Sequence, residues 1–218
     1  MEAYLEHIKK TKMWDEETAL KTIRKILNYY IGEPPEKFEI DGKEMTSVEY
    51  FKKVIRIDFD NYIDVLSLLE KPYYQYVVYP VPDNWWKSDH YYNVPLDTFM
   101  LIIRNAVRHG YSIAIGGDVS EPGYYSRKEV AMVPSFDIPS AYIDEYARQL
   151  RFSNKATTDD HGIHIVGYQE KEGDDWYLIK DSGSGSRNGP NPGYYFYHDD
   201  YIKLKMMVLH IRREIFCE

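Results

Sequence analysis

The chain has 218 residues, enough to bury the core of one large domain or two small ones. Hydrophobic residues make up 44% and aromatic residues 16%, so the composition is that of a globular protein rather than a disordered one. A formal net charge of −8 argues against a nucleic-acid partner, because phosphate binding needs a basic surface.

The lack of a targeting pattern and the low cysteine content further limit the kinds of protein that this sequence can encode. No stretch approaches the roughly twenty apolar residues of a membrane span, and the first residues lack a signal-peptide pattern. We therefore expect a cytoplasmic protein with no membrane partner. The single cysteine, Cys217, excludes an internal disulfide framework and a multi-cysteine metal site.

The first half of the chain contains three segments with helical features. Apolar spacing predicts an amphipathic helix over residues 17–30, which Gly32 and the following prolines end. The spacing of Thr46 and Glu49 is that of a capping box and predicts a short second helix. A third helix enters at Pro95 and presents one apolar face as far as His109.

Strands alternate with loops in the middle of the chain. Residues 73–81 are aromatic and β-branched, which predicts one extended strand with Pro80 at a sheet edge. Residues 111–116 predict a strand of small residues, a type that lets another backbone or a ligand come close. Residues 118–139 are typical of an irregular excursion, and residues 140–150 predict a helix.

A β-hairpin follows and brings together two residues that can do chemistry. Residues 161–170 and 175–180 predict two strands joined by a turn at 171–174. The hairpin places His161, at the start of the first strand, near Asp181, at the end of the second. A carboxylate beside an imidazole fixes its tautomer and stabilises its charged form, as a general base requires. The alternative is a surface histidine and an unrelated turn aspartate.

The last part of the chain predicts a glycine- and serine-rich loop over residues 182–193, then strands over 194–197 and 204–211. This order, helices first and an antiparallel sheet or barrel last, indicates an α+β fold. The loop lacks the spacing of a phosphate-binding motif, so we predict no cofactor. His161 and His164 differ by three positions on a strand and point to opposite faces, which argues against a shared metal ion.

Several blocks of sequence along the chain carry a family resemblance. In the second half these blocks are Asp160-His161-Gly162, Val166-Gly167-Tyr168, Tyr177-Leu178-Ile179-Lys180-Asp181-Ser182 and Gly193-Tyr194. Earlier blocks are residues 31–38, 46–51 and 94–120. In this order the blocks resemble the papain-like cysteine peptidases of the bleomycin hydrolase and aminopeptidase C type, and the resemblance implies a papain-like fold and a peptide substrate.

The resemblance also implies roles for single residues. His161 matches the catalytic histidine, and Asp181 stands where the family has its orienting asparagine. Asp160, Gly162 and Gly183 fall at positions expected to line the substrate site.

Three departures from the family pattern change what we expect. The family's nucleophilic cysteine and oxyanion-hole glutamine belong upstream of the matched helices, and Cys217 follows the last predicted strand. Gly183 stands where the family has a tryptophan that covers the pair from solvent. The family's carboxy-terminal extension, which confers aminopeptidase selectivity, has no counterpart, so exopeptidase action cannot be carried over.

We therefore expect a carboxy-terminal part of such an enzyme, whose cysteine comes from an amino-terminal segment or a second chain. Residues 1–92 would form the helical part with a strand near 73–81, and residues 93–218 a β-barrel-type catalytic part. Two further hypotheses stay open. The chain could be a non-catalytic peptide- or protein-binding remnant of the fold, or a domain missing its packing partner, which would self-associate as a homo-oligomer.

Overall fold

The computed structural model of the protein describes residues 1–216, so Cys217 lies outside the described residues. The chain divides into two compact units, Met1–Ile57 and Asp58–Glu218. The division of roles expected from the sequence, residues 1–92 and 93–218, stays a prediction. Among residues 1–216, no helix combines the length and the apolar character that crossing a bilayer requires.

The first unit is mainly helical. Its elements are α1 (Glu2–Thr11), α2 (Glu16–Ile31), β1 (Phe38–Ile40), β2 (Lys43–Met45) and α3 (Ser47–Tyr50), which a π-helical turn, Phe51–Ile55, extends. Helix α2 confirms the helix predicted over residues 17–30. It begins where the Asp15 side chain accepts a hydrogen bond from the Thr18 backbone N–H at 2.8 Å. The predicted capping box of Thr46 and Glu49 is confirmed at the start of α3.

The described part of the second unit, residues 58–216, carries a large sheet and four α-helices. Its strands are β3 (Tyr62–Leu66), β4 (Gln75–Val77), β5 (Tyr91–Asn93), β6 (Ile113–Gly117), β7 (Tyr124–Tyr125), β8 (Val130–Ala131), β9 (His161–Lys171), β10 (Asp174–Lys180), β11 (Tyr194–His198) and β12 (Met206–Arg212). Its helices are α4 (Leu96–Arg108), α5 (Glu145–Ser153), α6 (Asp199–Lys205) and α7 (Arg213–Phe216).

The ten strands form one sheet in the order β4-β5-β3-β12-β6-β9-β10-β11-β8-β7. Neighbouring strands are antiparallel except for β3 with β5 and β8 with β11. The predicted α+β class is confirmed. The sheet, however, also takes β3, β4 and β5 from the first half of the chain, so it is not confined to the carboxy-terminal end.

One face of the sheet forms the core with α4. The apolar stripe of α4, including Phe99, Ile103 and Ala106, is fully buried. It packs on β6 and β9, whose inward residues Ile113 and Ile165 are also fully buried. This packing follows from the 3.6-residue period of the helix meeting the two-residue period of the strands. It fixes β9, and with it the residue that begins β9, His161.

Several predicted elements have different bounds in the structure. The strand expected over 73–81 is shorter, Gln75–Val77. The helix expected over 140–150 begins only at Glu145, after a 3₁₀ turn, because the Asp144 side chain caps it there. The strand expected over 204–211 begins at Met206, since the preceding residues end α6, a helix that the apolar run concealed.

Candidate active site

A β-bulge in the β9–β10 hairpin sets which face Asp181 occupies. Near the turn Leu178 pairs with Gly167, whereas the next pair is Ile179 with Ile165, so Val166 is the extra residue. One extra residue reverses the alternation of faces beyond it. As a result Asp181 shares a face with His161, and not with His164.

His161 and Asp181 form a close pair on that face. The imidazole Nε2 lies 2.7 Å from Asp181 Oδ1, a short distance for a nitrogen–oxygen hydrogen bond. The Asp181 side chain is 2% exposed and that of His161 is 24% exposed. With Nε2–H donating to the carboxylate, Nδ1 is the ring nitrogen left to accept a proton, and it has no hydrogen-bond partner within residues 1–216. The proximity predicted from the hairpin is confirmed.

The carboxylate of Asp181 is held by further donors. The backbone N–H of Gly183 donates to Oδ1 at 2.7 Å, and the hydroxyl of Tyr124 donates to Oδ2 at 3.4 Å. The buried Ser186 hydroxyl donates to the carbonyls of Asp181 and Gly183, at 3.0 and 2.6 Å. These bonds connect the start of the glycine- and serine-rich loop to Asp181. The loop therefore helps to hold the Asp181 side chain in place, which the sequence did not reveal.

Gly183 lies against both members of the pair. A Cβ atom built on it would stand 3.1 Å from Asp181 Oδ1 and 3.4 Å from His161 Nε2. The missing side chain therefore leaves room at the pair itself. Its role in binding a substrate stays a prediction.

Asp160 and Gly162 flank His161 at the rim of an open cleft of about 440 Å³, which Asp83 and Asp159 also line. The Asp160 carboxylate accepts a hydrogen bond from the Val119 backbone N–H at 3.1 Å, and its own N–H donates to Gly117 at 3.0 Å. A Cβ on Gly162 would meet no atom within 4 Å, so the backbone here is open to a bound molecule. Contact of either residue with substrate stays a prediction.

Asp159 is a cleft residue for which the sequence predicted no role. Burial raises the pKa of its carboxyl to about 6, and the neighbouring charges of Asp83, Asp160 and Asp118 act in the same direction. The only sequence signal was its place in a run of two aspartates before His161, and such runs are common on surfaces.

His164 lies on the other face of the sheet, as predicted from the three-residue spacing. It stands in a cross-strand row with Asp64, His210, Ala114 and Lys180, and this row lines a second open cleft of about 740 Å³. Burial and the nearby Lys180 lower the pKa of His164. Within the described part of the chain, no three His, Cys, Asp or Glu side chains converge in a group that could hold a metal ion.

The geometry of the pair suits proton transfer. A buried carboxylate can orient an imidazole through Nε2 and stabilise its charged form, which leaves Nδ1 able to accept a proton from a nucleophile placed beside it. The described residues hold such an imidazole–carboxylate pair, and they include no thiol, since the one cysteine is Cys217.

The chain is similar to known proteins along nearly its whole length. A model of the Peptidase C1-like family matches residues 5–216. Aminopeptidase G of Lactobacillus delbrueckii subsp. lactis is 21% identical over 203 residues, which are 85% of this chain and 45% of that protein. The solved structure of PepW from Lactobacillus rhamnosis has a TM-score of 0.70 at 17% identity, covering 98% of this chain and 52% of PepW.

These matches confirm the papain-like α+β fold expected from the sequence. The chain spans about half the length of the relatives it matches.

Proposed function

The chain belongs to the Peptidase C1-like family, and on that premise we propose that it supplies the histidine–carboxylate half of a cysteine-peptidase active site. In this proposal His161 is the general base, Asp181 orients it, and a peptide is the substrate. The thiol comes from an amino-terminal segment or a second chain. The observation that carries the proposal is the 2.7 Å contact between His161 Nε2 and the buried Asp181 carboxylate.

The chemistry follows from the free ring nitrogen. Nδ1 of His161 accepts the proton of the incoming thiol, so an S–H bond breaks and an N–H bond forms. The thiolate then attacks the peptide carbonyl, and the imidazolium returns its proton to the departing amine. Asp181 stabilises the imidazolium through both steps because its charge lies beside Nε2.

The cleft beside His161 supports a peptide as the substrate class. It is open, its lining at Gly162 carries no side chain, and Asp160 also lines it. A peptide backbone can approach such a surface closely because no Cβ intervenes. Whether the completed enzyme acts on chain ends, as the name of aminopeptidase G says of that relative, is decided by comparing substrates with free and acetylated amino termini.

The test is a completed enzyme, in which the chain is joined to a family segment that carries the nucleophilic cysteine. We expect hydrolysis of fluorogenic peptides that thiol alkylation blocks. His161→Ala should lower kcat by at least about 100-fold, since it removes the general base. The matched control is His109→Ala, because His109 is exposed at the end of α4 and its Nδ1 contacts only the Asn105 carbonyl.

Activity that survives His161→Ala in the completed enzyme would overturn the proposal. Tight peptide binding that is equal in the parent and the His161→Ala chain, without hydrolysis, would favour the non-catalytic binding module instead.

A further inference from the structure

Tyr124 lies beside the Asp181 carboxylate although it belongs to β7, far from the hairpin in sequence. The two carboxylate oxygens have different donors. Oδ1 accepts from His161 Nε2 and from the Gly183 N–H, both at 2.7 Å. Oδ2 accepts from the Tyr124 hydroxyl at 3.4 Å, and within residues 1–216 this hydroxyl is its one hydrogen-bond donor. Since the Asp181 side chain is 2% exposed, water has little access to replace that donor.

The ring of Tyr124 is fixed by its neighbours. It stacks on Tyr195 with ring centroids 4.8 Å apart and an interplanar angle of 23°, and it meets Tyr197 edge-on at 6.3 Å. Its backbone pairs with Ala131 across β7 and β8. A Cβ on Gly185 would be in ordinary van der Waals contact with the hydroxyl oxygen, 3.6 Å away. The ring contacts therefore place the hydroxyl beside Asp181.

The chemistry of residue 181 matches this neighbour. A carboxylate accepts at both oxygens, whereas an amide presents an NH₂ group on one side and needs an acceptor there. Burial and the neighbouring Tyr195 hydroxyl raise the pKa of Tyr124, so its O–H stays a donor throughout the physiological range. The hydroxyl donates to Oδ2 of Asp181, and its oxygen could also accept from the amide of an asparagine, so the contact is compatible with either residue.

We propose that Tyr124 is a positioning residue, whose hydroxyl holds the Asp181 carboxylate in the orientation that directs Oδ1 at His161 Nε2. The catalytic meaning of this inference rests on the proposed function of the pair. The geometric part is separate from it, because it can be measured in the 218-residue chain without any turnover.

The test is the NMR signal of the proton on His161 Nε2 in the parent chain and in Tyr124→Phe, which keeps the stacked ring and removes the hydroxyl. We expect a protected downfield proton in the parent chain and its loss or upfield shift in Tyr124→Phe. The matched control is Tyr125→Phe, because Tyr125 is the adjacent residue and is 52% exposed. A signal unchanged by Tyr124→Phe would overturn the inference.

A second measurement avoids changing Tyr124 and so stands even if that variant folds poorly. The ¹³Cζ signal of Tyr124 should move in Asp181→Asn, because the hydroxyl loses its charged acceptor. A Tyr124 signal that does not respond to Asp181→Asn would contradict the inference.

Kinetics of the completed enzyme then separate the two proposals. Tyr124→Phe should lower kcat about threefold to tenfold with KM unchanged. A rise in KM with kcat unchanged would count against a positioning role for Tyr124. If His161→Ala keeps full activity while the NMR changes occur as expected, the proposed function fails and the geometric inference stands.

Discussion

At the scale of single residues, Gly183 controls the space around the pair. Its φ of −58° is accessible to any residue, so alanine is compatible with the backbone. The added Cβ would stand 3.1 Å from Asp181 Oδ1, closer than ordinary packing, and the carboxylate or the imidazole must move by a few tenths of an ångström. We predict that Gly183→Ala lengthens the Nε2–Oδ1 contact and lowers kcat of the completed enzyme about threefold to tenfold.

The matched control for this change is Gly162→Ala, whose Cβ would meet no atom within 4 Å. Crystal structures of the two variants provide the measurement. A His161–Asp181 contact that stays at its original length in Gly183→Ala, or that lengthens equally in Gly162→Ala, would contradict the prediction.

Asp159 gives the protein a pH dependence of stability. Its pKa of about 6 in the folded state lies above the ordinary value of 3.8 that the unfolded chain has. Between these values the folded state binds more protons than the unfolded state, so this group's contribution to the free energy of unfolding falls as the pH rises from about 4 to about 6. Asp159→Asn removes that loss and should raise the free energy of unfolding at pH 7.5 by about 1–3 kcal/mol.

Urea unfolding of the parent chain and Asp159→Asn at several pH values measures this difference. The gap between the two should be small at pH 4 and reach its full size above pH 6. Asp89→Asn, in an exposed loop, is the control. A gap that stays constant across this range would mean that Asp159 titrates normally.

The site residues differ in how far the sequence could reveal them. His161 and Asp181 came from the order of motifs along one hairpin. Tyr124 and Asp159 could not be found this way, because their importance comes from packing across the sheet and from burial, which no local pattern encodes. The roles of Asp160, Gly162 and Gly183 rest on the family resemblance alone.

At the scale of elements, the bulge at Val166 determines the site. An unbroken register continuing from the pair Leu178 and Gly167 would place Asp181 opposite His164, on the wrong face. The hairpin itself was predictable from alternation and from the turn, where Glu172 and Gly173 both have positive φ. The only sequence sign of the bulge was Gly167, a glycine inside a strand. The sequence therefore did not reveal that His161 and Asp181 lie on the same face of the sheet.

Asn93 lies in β5, next to the edge strand β4, whose bounds the sequence predicted poorly. Its fully buried amide donates to the carbonyls of Leu68, Lys71 and Pro72, and its oxygen accepts from the Leu68 N–H. Asn93→Ala leaves these buried groups without partners, so the free energy of unfolding should fall by about 2–4 kcal/mol.

Chemical denaturation of Asn93→Ala measures this loss. Asn61→Ala is the control, since Asn61 bonds Asp58 in an exposed turn and should change stability by less than about 0.5 kcal/mol. Equal effects of the two substitutions would show that the contacts of Asn93 with residues 68–72 do not stabilise the fold.

At the scale of the whole molecule, the order of elements and motifs predicted the fold class and the family. It did not predict the strand order of the sheet. Strands β3 and β5 are short and lie far from their partners in sequence, and β3 pairs with β12, near the end of the chain. Such pairing is decided by burial against the rest of the sheet rather than by local preference. The site that results brings His161 and Asp181 together on one sheet, and the proposed function takes its thiol from outside the described residues.

The most direct test of this account is the rate of peptide hydrolysis by the purified 218-residue chain, before and after a cysteine-bearing family segment is joined to it. We predict no thiol-sensitive hydrolysis by the chain alone, and hydrolysis that alkylation abolishes once the segment is present. Hydrolysis by the chain alone that is lost both on alkylation and in His161→Ala would contradict the claim that the chain holds only half of the site.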